Sequence, residues 1–419
     1  MVVIWKTQKR CALILIDALK SSKVNQEPRN GLLFVLLYLP YVNIAIIIRR
    51  LNVKGGAQRQ ALSLARELTH MGHKVCLYTF WYNKEKCFSD LLEGLTVVSG
   101  NELDPKALAN RIDRTTDILN PHDQEAYKVA YYFKKAVKNA PSIWMMNDVP
   151  SKDFGFWKES QFNPDLRRSF AKAVYHKLYD LRDSQFIAAQ EKIAVLDIWN
   201  KDLVKTHYNK EAVVVRSGLN IEQFPYHERA LPKNKSIKLL CAGIFFPHRR
   251  FEDAITAVSL LQKSGFDASL TIAGDYDNDK NYHAKLARWA HSLRLGNKVS
   301  FMGKISDTDL KAAYRSHDVF VFPNHLQTWG LAVFEAMSSG IPVVLSRTTG
   351  AAEVLTDKEN VLLVNPKTPE EIKSAVIELV GSENRYRALA QNARKFVEEN
   401  ISWRKYAERM LEVFNRARY

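Results

Sequence analysis

The sequence predicts an α/β protein: two doubly wound domains with parallel sheets, facing one another across a cleft. Three observations predict it. From about residue 43 onward, short β-branched runs alternate with amphipathic helical stretches. The alternation pauses once, at the polar, Pro-containing HERALPKNKS (227–236), and then restarts. The length of 419 residues suits two cores of about 200 residues each better than one.

The elements follow in order. A strand over 42–48 leads through Lys54-Gly55-Gly56 into a helix that begins near Ala57 and ends at Gly72. Strands follow at KVCLYTF (74–80), DILN (117–120), SIWMM (142–146), IAVLD (193–197) and AVVVR (212–216), with helical segments between most of them. After the linker come KLLCAG (238–243), a helix from Phe251, SLTIAG (269–274), a helix over 281–295 closed by Gly296, and KVSFMG (298–303). VFVFP (319–323), a helix over 331–339, IPVVLS (341–346) and VLLVN (361–365) complete the second set. Thr368-Pro369-Glu370-Glu371 places an N-cap residue, Pro at the first helical position and Glu at the third, a strong helix start. Helices fill the rest.

Composition narrows the class. At 46% hydrophobic and 25% charged residues, the chain is an ordinary globular protein and not a disordered or repeat-driven one. Its four cysteines show no CxxC or CxxH spacing, which argues against a zinc ribbon or disulfide scaffold and for a reducing, cytoplasmic compartment. The net charge of +16 is uneven: residues 1–250 hold 39 Lys and Arg against 24 Asp and Glu, residues 251–419 hold 22 against 21. That asymmetry fits either a solvated basic surface or an anionic partner such as an acidic membrane face or a phosphorylated substrate. Nucleic acid is disfavoured, because no basic-aromatic interleaved motif accompanies the charge.

The N-terminus admits three readings. GLLFVLLYLPYVNIAIII (31–48) is an uncharged run about as long as a bilayer span, interrupted by Pro40 and Asn43. Its last third reads as the opening strand. Residues 1–42 are an appended or mis-started segment, an interfacial anchor or a transmembrane helix, and they carry no export signal with a small-residue cleavage site.

The chemistry should sit at the carboxyl edges of the strands, facing the cleft. Gly55 and Gly56 follow a strand and open a helix, where free N–H groups favour an anion. In FFPHRRFEDAI (245–255), Arg249 and Arg250 put guanidinium groups at the edge of the second sheet, suited to phosphate. FPNHLQTWGLAVFEAMSSGIPVV (322–344) runs strand, loop, helix, strand. Gly330 and Leu331 lie at that helix's N-terminus, and Glu335 is an acid inside an apolar helix, needing either sugar hydroxyls or an internal cation as partner.

This stretch resembles the E-x7-E signature of glycosyltransferase family 4, the retaining GT-B glycosyltransferases. GGAQRQALSLARELTHMGHKV (55–75), RSGLNIEQF (216–224), SHDVFVFP (316–323) and TTGAAEVL (348–355) are also similar to that family, so the likeness spans about residues 43–416. It implies a GT-B fold of two Rossmann-like domains: an acceptor domain at 43–225, completed by a C-terminal helix near 402–419, and a nucleotide-sugar domain at 236–400. It implies a hexosyltransferase with a nucleotide-sugar donor, a glycan or polyprenyl (lipid-linked) acceptor, no cofactor and no obligatory metal. By the same resemblance Glu335 matches the glutamate that holds the donor ribose, and Arg249 falls where the family has a phosphate-binding Lys. Ile244 replaces the family's Arg, for which Arg250 is the substitute considered. Gln327 replaces the glutamate that touches the donor sugar. The family's N-domain histidine has no certain match; Asn147-Asp148 occupy its place and His122 is a nearby candidate, which makes these three the acceptor-side candidates. The DxD runs at Asp275–Asp277 and Asp277–Asp279 read as a helix-capping loop. The departures at Gln327 and Ile244 keep a non-catalytic sugar-nucleotide-binding protein as the alternative.

Overall fold

The computed structural model describes residues 41–163, 165–277, 279–326 and 328–418. The expectations for residues 1–40 and for Gln327 fall outside these. Residues Val42–Tyr419 form one compact unit.

The first sheet contains β1 (Asn43–Leu51), β2 (Lys74–Tyr82), β3 (Thr96–Ser99), β4 (Ile118–His122), β5 (Ile143–Met146), β6 (Lys192–Val195) and β7 (Ala212–Val214). Its order is β3-β2-β1-β4-β5-β6-β7, and every pairing is parallel. The second contains β8 (Ser236–Ala242), β9 (Asp267–Ala273), β10 (Val299–Gly303), β11 (Val319–Phe322), β12 (Val343–Ser346) and β13 (Leu362–Val364), in the parallel order β10-β9-β8-β11-β12-β13. Two Rossmann-like sheets are thus present. Strand β3, which the alternation pattern passed over, forms the edge of the first.

The strands are apolar runs because helices cover both faces of a parallel sheet. Ile44, Ala45, Ile46, Ile47 and Ile48 of β1 are all buried, although successive side chains point to opposite faces. The strand order reverses between β1 and β4 and again between β8 and β11. At such switch points neighbouring loops part to opposite sides of the sheet and leave a crevice. The loops after β1, β8 and β11 carry Gly56, Arg249 and Gly330.

The linker is more firmly held than its polarity suggests. Arg229 is buried, and its guanidinium donates to the carbonyls of Arg315 (2.7 Å), His317 (2.9 Å) and Tyr314, all C-terminal to the first sheet. The helix Pro369–Val380 starts where expected, but the Thr368 hydroxyl donates to the Asn365 carbonyl (3.1 Å) instead of accepting from the helix. Asp279 does cap its helix, accepting from the Tyr282 amide at 2.9 Å.

The final helix, Trp403–Arg418, packs against the helix Gly56–His70. Gly218 sits against its start, where an added Cβ would lie 2.2 Å from the Ser402 carbonyl carbon, which is backbone and cannot swing aside. Gly218→Ala should therefore cost roughly 1–3 kcal/mol by overpacking. The thermal midpoint should fall by several degrees; an unchanged midpoint would show that the helix start shifts freely.

Candidate functional site

A cavity of about 310 Å³ opens where the two switch points face each other. Gly56, Ala57 and Gln60 line it from the start of the helix Gly56–His70, and Asn147 from the end of β5. From the second domain come Gly243, Ile244 and Arg249, together with Thr328, Trp329, Gly330 and Leu331. Two helix N-termini and a guanidinium thus converge on one space. Each helix start presents N–H groups with no partner inside the helix, so all three features favour an anion.

Local sequence explains the geometry. An added Cβ on Gly56 would meet no protein atom within 4 Å, so its bare backbone is open to the cavity. Gly330 has φ +77°, a left-handed conformation, and a Cβ there would press on Phe322 at 3.2 Å. Arg249 lies in the short turn Pro247–Arg249. Its Nε donates to the Ile244 carbonyl (3.2 Å), and the Asn324 amide, oriented to suit, accepts from Nη1 at 2.8 Å. Burial lowers the Arg249 pKa to about 10, so it stays charged at neutral pH.

Glu335 is 6% exposed and does not line this cavity. Its Oε1 accepts from Arg59 Nη1 at 3.1 Å and its Oε2 from the Tyr314 hydroxyl at 3.1 Å. Of the two partners the sequence allowed, the structure has the internal cation, and that cation comes from the opposite domain. Burial raises the Glu335 pKa, and the Arg59 charge opposes the rise.

Other expected site residues separate. The Arg250 guanidinium is held by Glu252 (2.9 Å) and Asp253 (2.5 Å) at the start of the helix Phe251–Lys263, so it does not stand in for the cation missing at Ile244. His122 is fully buried at the end of β4, with Nε2 2.9 Å from Asn120 Oδ1. Burial lowers its pKa to about 3, which favours the neutral ring; its Nδ1 has no hydrogen-bond partner among the described residues, and it does not line the 310 Å³ cavity. Asn147 and Asp148 diverge. Asn147 lines the central cavity, whereas Asp148 lines a second one of about 430 Å³ beside Lys152, Lys158, Lys172 and His176.

Two further residues emerge only in the structure. Arg59 lies inside the motif GGAQRQ, but nothing local marks it as the partner of an acid 276 positions away. Gln60 is 2% exposed and lines the cavity, yet neither of its amide atoms has a hydrogen-bond partner among the described residues. A buried amide left unpaired is costly, and at the cavity wall it makes Gln60 a candidate ligand contact.

Two Rossmann-like domains facing a cleft are the architecture of the GT-B fold. A family model described as "Glycosyl transferases group 1" matches residues 222–396. The chain is 32% identical to the uncharacterized glycosyltransferase MJ1607 of Methanocaldococcus jannaschii over 87% of this chain and 95% of that protein. It is 23% identical to the mannosylfructose-phosphate synthase of Agrobacterium fabrum over 86% of each. In fold it is similar to Anabaena HepE in complex with UDP, with a TM-score of 0.69 and 15% identity over 90% of this chain and 100% of that one. The chain belongs to the group 1 glycosyltransferases and is a glycosyltransferase enzyme.

Two outcomes test the site. Glu335's folded-state pKa lies above its unfolded value, so its ionisation costs stability as pH rises through the raised pKa. Arg59→Ala removes the opposing charge and should deepen that loss by about 3 kcal/mol at pH 8, with a smaller deficit at pH 5. Adding Glu335→Gln should abolish the pH dependence of the deficit. Thermal midpoints across pH 5–8 decide; parallel curves would show that the pair is not coupled. Separately, Gln60→Leu should raise the midpoint of the ligand-free protein, since replacing an unpaired buried amide gains about 1–3 kcal/mol. It should also weaken ligand binding at least about tenfold, an effect that a merely structural Gln60 would not have.

Proposed function

We propose that the protein is a retaining, family 4 hexosyltransferase that moves a hexose from a nucleotide-sugar donor to a glycan or lipid-linked acceptor. In this reading it works in the cytoplasm, peripherally at the membrane, without a metal or other cofactor. The observation that carries it is the convergence of Arg249 and the starts of the helices Gly56–His70 and Leu331–Ser338 on one cavity. A nucleoside diphosphate has the charge that such a convergence accommodates.

The chemistry is one of positioning and electrostatics. Arg249 and the Gly330–Leu331 amides hold the diphosphate and stabilise the charge it gains as the glycosidic bond breaks. The acceptor hydroxyl attacks from the same face, oriented from the side of Asn147 and Asp148, and its proton passes to the departing diphosphate oxygen. Glu335 takes the donor ribose hydroxyls, which requires Arg59 to release Oε1. Gln327 replaces a glutamate with a neutral amide that can both donate to and accept from sugar hydroxyls.

A second reading, a sugar-nucleotide binder without turnover, is favoured by one feature. Ile244 stands where a second cation would complete the phosphate clamp, and Arg250 is committed elsewhere. Screening UDP-, GDP- and ADP-sugars for thermal stabilisation identifies the donor, because ligand bound to the folded state raises the midpoint by mass action. Radiolabelled transfer from that donor then separates the readings: stabilisation without turnover favours the binder, and stabilisation by none of the three sinks both.

Arg249→Ala should lower kcat/KM at least about 100-fold, comparable to losing one transition-state donor, and Arg249→Lys should recover part of it. Equal losses in both variants would show that geometry, not charge, is the contribution.

A further inference from the structure

The helix Phe170–Ala188 carries apolar side chains on two faces. Its inward side buries Phe186 and Ile187 in the core together with His176 and Asp183, with Asp183 bound to Lys128 at 2.9 Å and to the Tyr127 hydroxyl. Its outward side carries Phe170 (85% exposed), Val174, Leu178 (60%) and Leu181 (71%). The spacing i, i+4, i+8, i+11 gathers these four into one stripe along the helix. Large apolar side chains are common singly on a surface, but an ordered stripe of them marks an interaction site.

The stripe's surroundings indicate its partner. Lys177 and Arg182 flank it on the same exposed side, and Arg167 is exposed just before the helix. Asp180, the acid nearest the stripe in sequence, is turned to the Ser151 hydroxyl and the Lys152 and Asp153 amides. An apolar stripe edged by cations matches the boundary between acyl chains and anionic headgroups. With Lys172, Lys177, Asp180, Arg182 and Asp183 in its length, the helix is suited to lie in that boundary and not to cross it. Among the described residues no helix is long and apolar enough to cross a membrane.

We propose that this face docks the protein on an anionic lipid surface, through insertion of Phe170, Val174, Leu178 and Leu181 and through attraction of Lys177 and Arg182 to headgroups. The proposal rests on the reading that the acceptor is lipid-linked, and it names the surface used. The same helix contributes Lys172 and His176 to the 430 Å³ cavity that holds Asp148. Docking therefore brings the acceptor side of the site within about one helix diameter, 10–12 Å, of the lipid.

The test is co-sedimentation of the full chain with vesicles of phosphatidylcholine alone or with 30% phosphatidylglycerol (about that fraction suffices to charge the surface), at low and high salt. The wild type should bind the charged vesicles and release partly at high salt, because headgroup attraction is screened within about 8 Å at physiological ionic strength. Leu178→Glu with Leu181→Glu should lower binding at least about tenfold, and Lys177→Gln with Arg182→Gln should remove the salt dependence. Both double variants should keep the wild-type thermal midpoint and its shift with whichever of the UDP-, GDP- and ADP-sugars stabilises the wild type, a readout of the donor site that needs no membrane. Equal binding to both vesicle types, or undiminished binding by the glutamate variant, overturns the proposal. So does a wild-type dimer in sedimentation velocity that the glutamate variant disrupts, since a second copy would then own the face. Loss of donor-induced stabilisation in the wild type would instead count against the enzymatic reading.

Discussion

A carboxylate buried in an apolar helix is the constraint around which the two domains are arranged. Glu335 sits in LAVFEAM, a stretch whose other side chains belong in a core, and an unpaired charge there would cost several kcal/mol. Its own domain supplies one partner, the Tyr314 hydroxyl. The other, Arg59, belongs to the opposite domain and packs over the Phe88 ring at 5.0 Å. The acid is thus satisfied only when the domains are brought together. Other contacts fall into line with it: Trp329 Nε1 donates to the Ser217 carbonyl at 3.0 Å, and Glu353 receives both Arg216 (2.8 Å) and the Ile198 amide (2.8 Å). Each is an interaction between a residue before the linker and one after it.

The same closure assembles the cavity. Neither helix start would be an effective anion site alone, since each offers a few N–H groups and about half a charge that water screens readily. Lining the same half-open cavity as Arg249, they can act on one ligand in a less polar surrounding than bulk water. Helix Gly56–His70 has two functions in this arrangement. Its first turn presents Gly56, Ala57 and Gln60 to the cavity, and Arg59, one position from Gln60, turns aside to hold Glu335.

Much of this was legible in the sequence because parallel α/β folds write themselves locally. Short, β-branched or aromatic apolar runs such as NIAIII and VFVF, bounded by turn residues, favour strands covered on both faces, and Gly56 and Gly330 mark helix starts whatever lies opposite. What was not legible is long-range pairing. The motif GGAQRQ shows an arginine and a glutamine at adjacent positions, but not that one meets an acid 276 residues away while the other is left unpaired beside a cavity. Arg250 reads as a second phosphate cation until Glu252 and Asp253, two and three residues on, are seen to bind it. His122 reads as a nearby acceptor-side candidate, and only the structure shows that it is fully buried at the end of β4 with Nε2 against Asn120. Strand β3 was overlooked because an edge strand of four half-exposed residues carries too little periodicity to stand out.

The basic excess before the linker shows why charge must be placed before it is interpreted. Several of these cations are internal partners. Arg59 neutralises Glu335, Arg229 binds backbone carbonyls, Lys128 holds Asp183 in a largely buried pair, and Lys134 pairs with the exposed Glu191. Such groups contribute to the sum but project little field into solvent, because each is compensated at close range. Lys177 and Arg182 differ in kind: they lie on an exposed helix face, beside apolar side chains that have no place in a core. A net charge cannot distinguish the two populations. What distinguishes them is the helix Phe170–Ala188, whose acid is turned inward to Lys128 and whose leucines are turned outward to solvent.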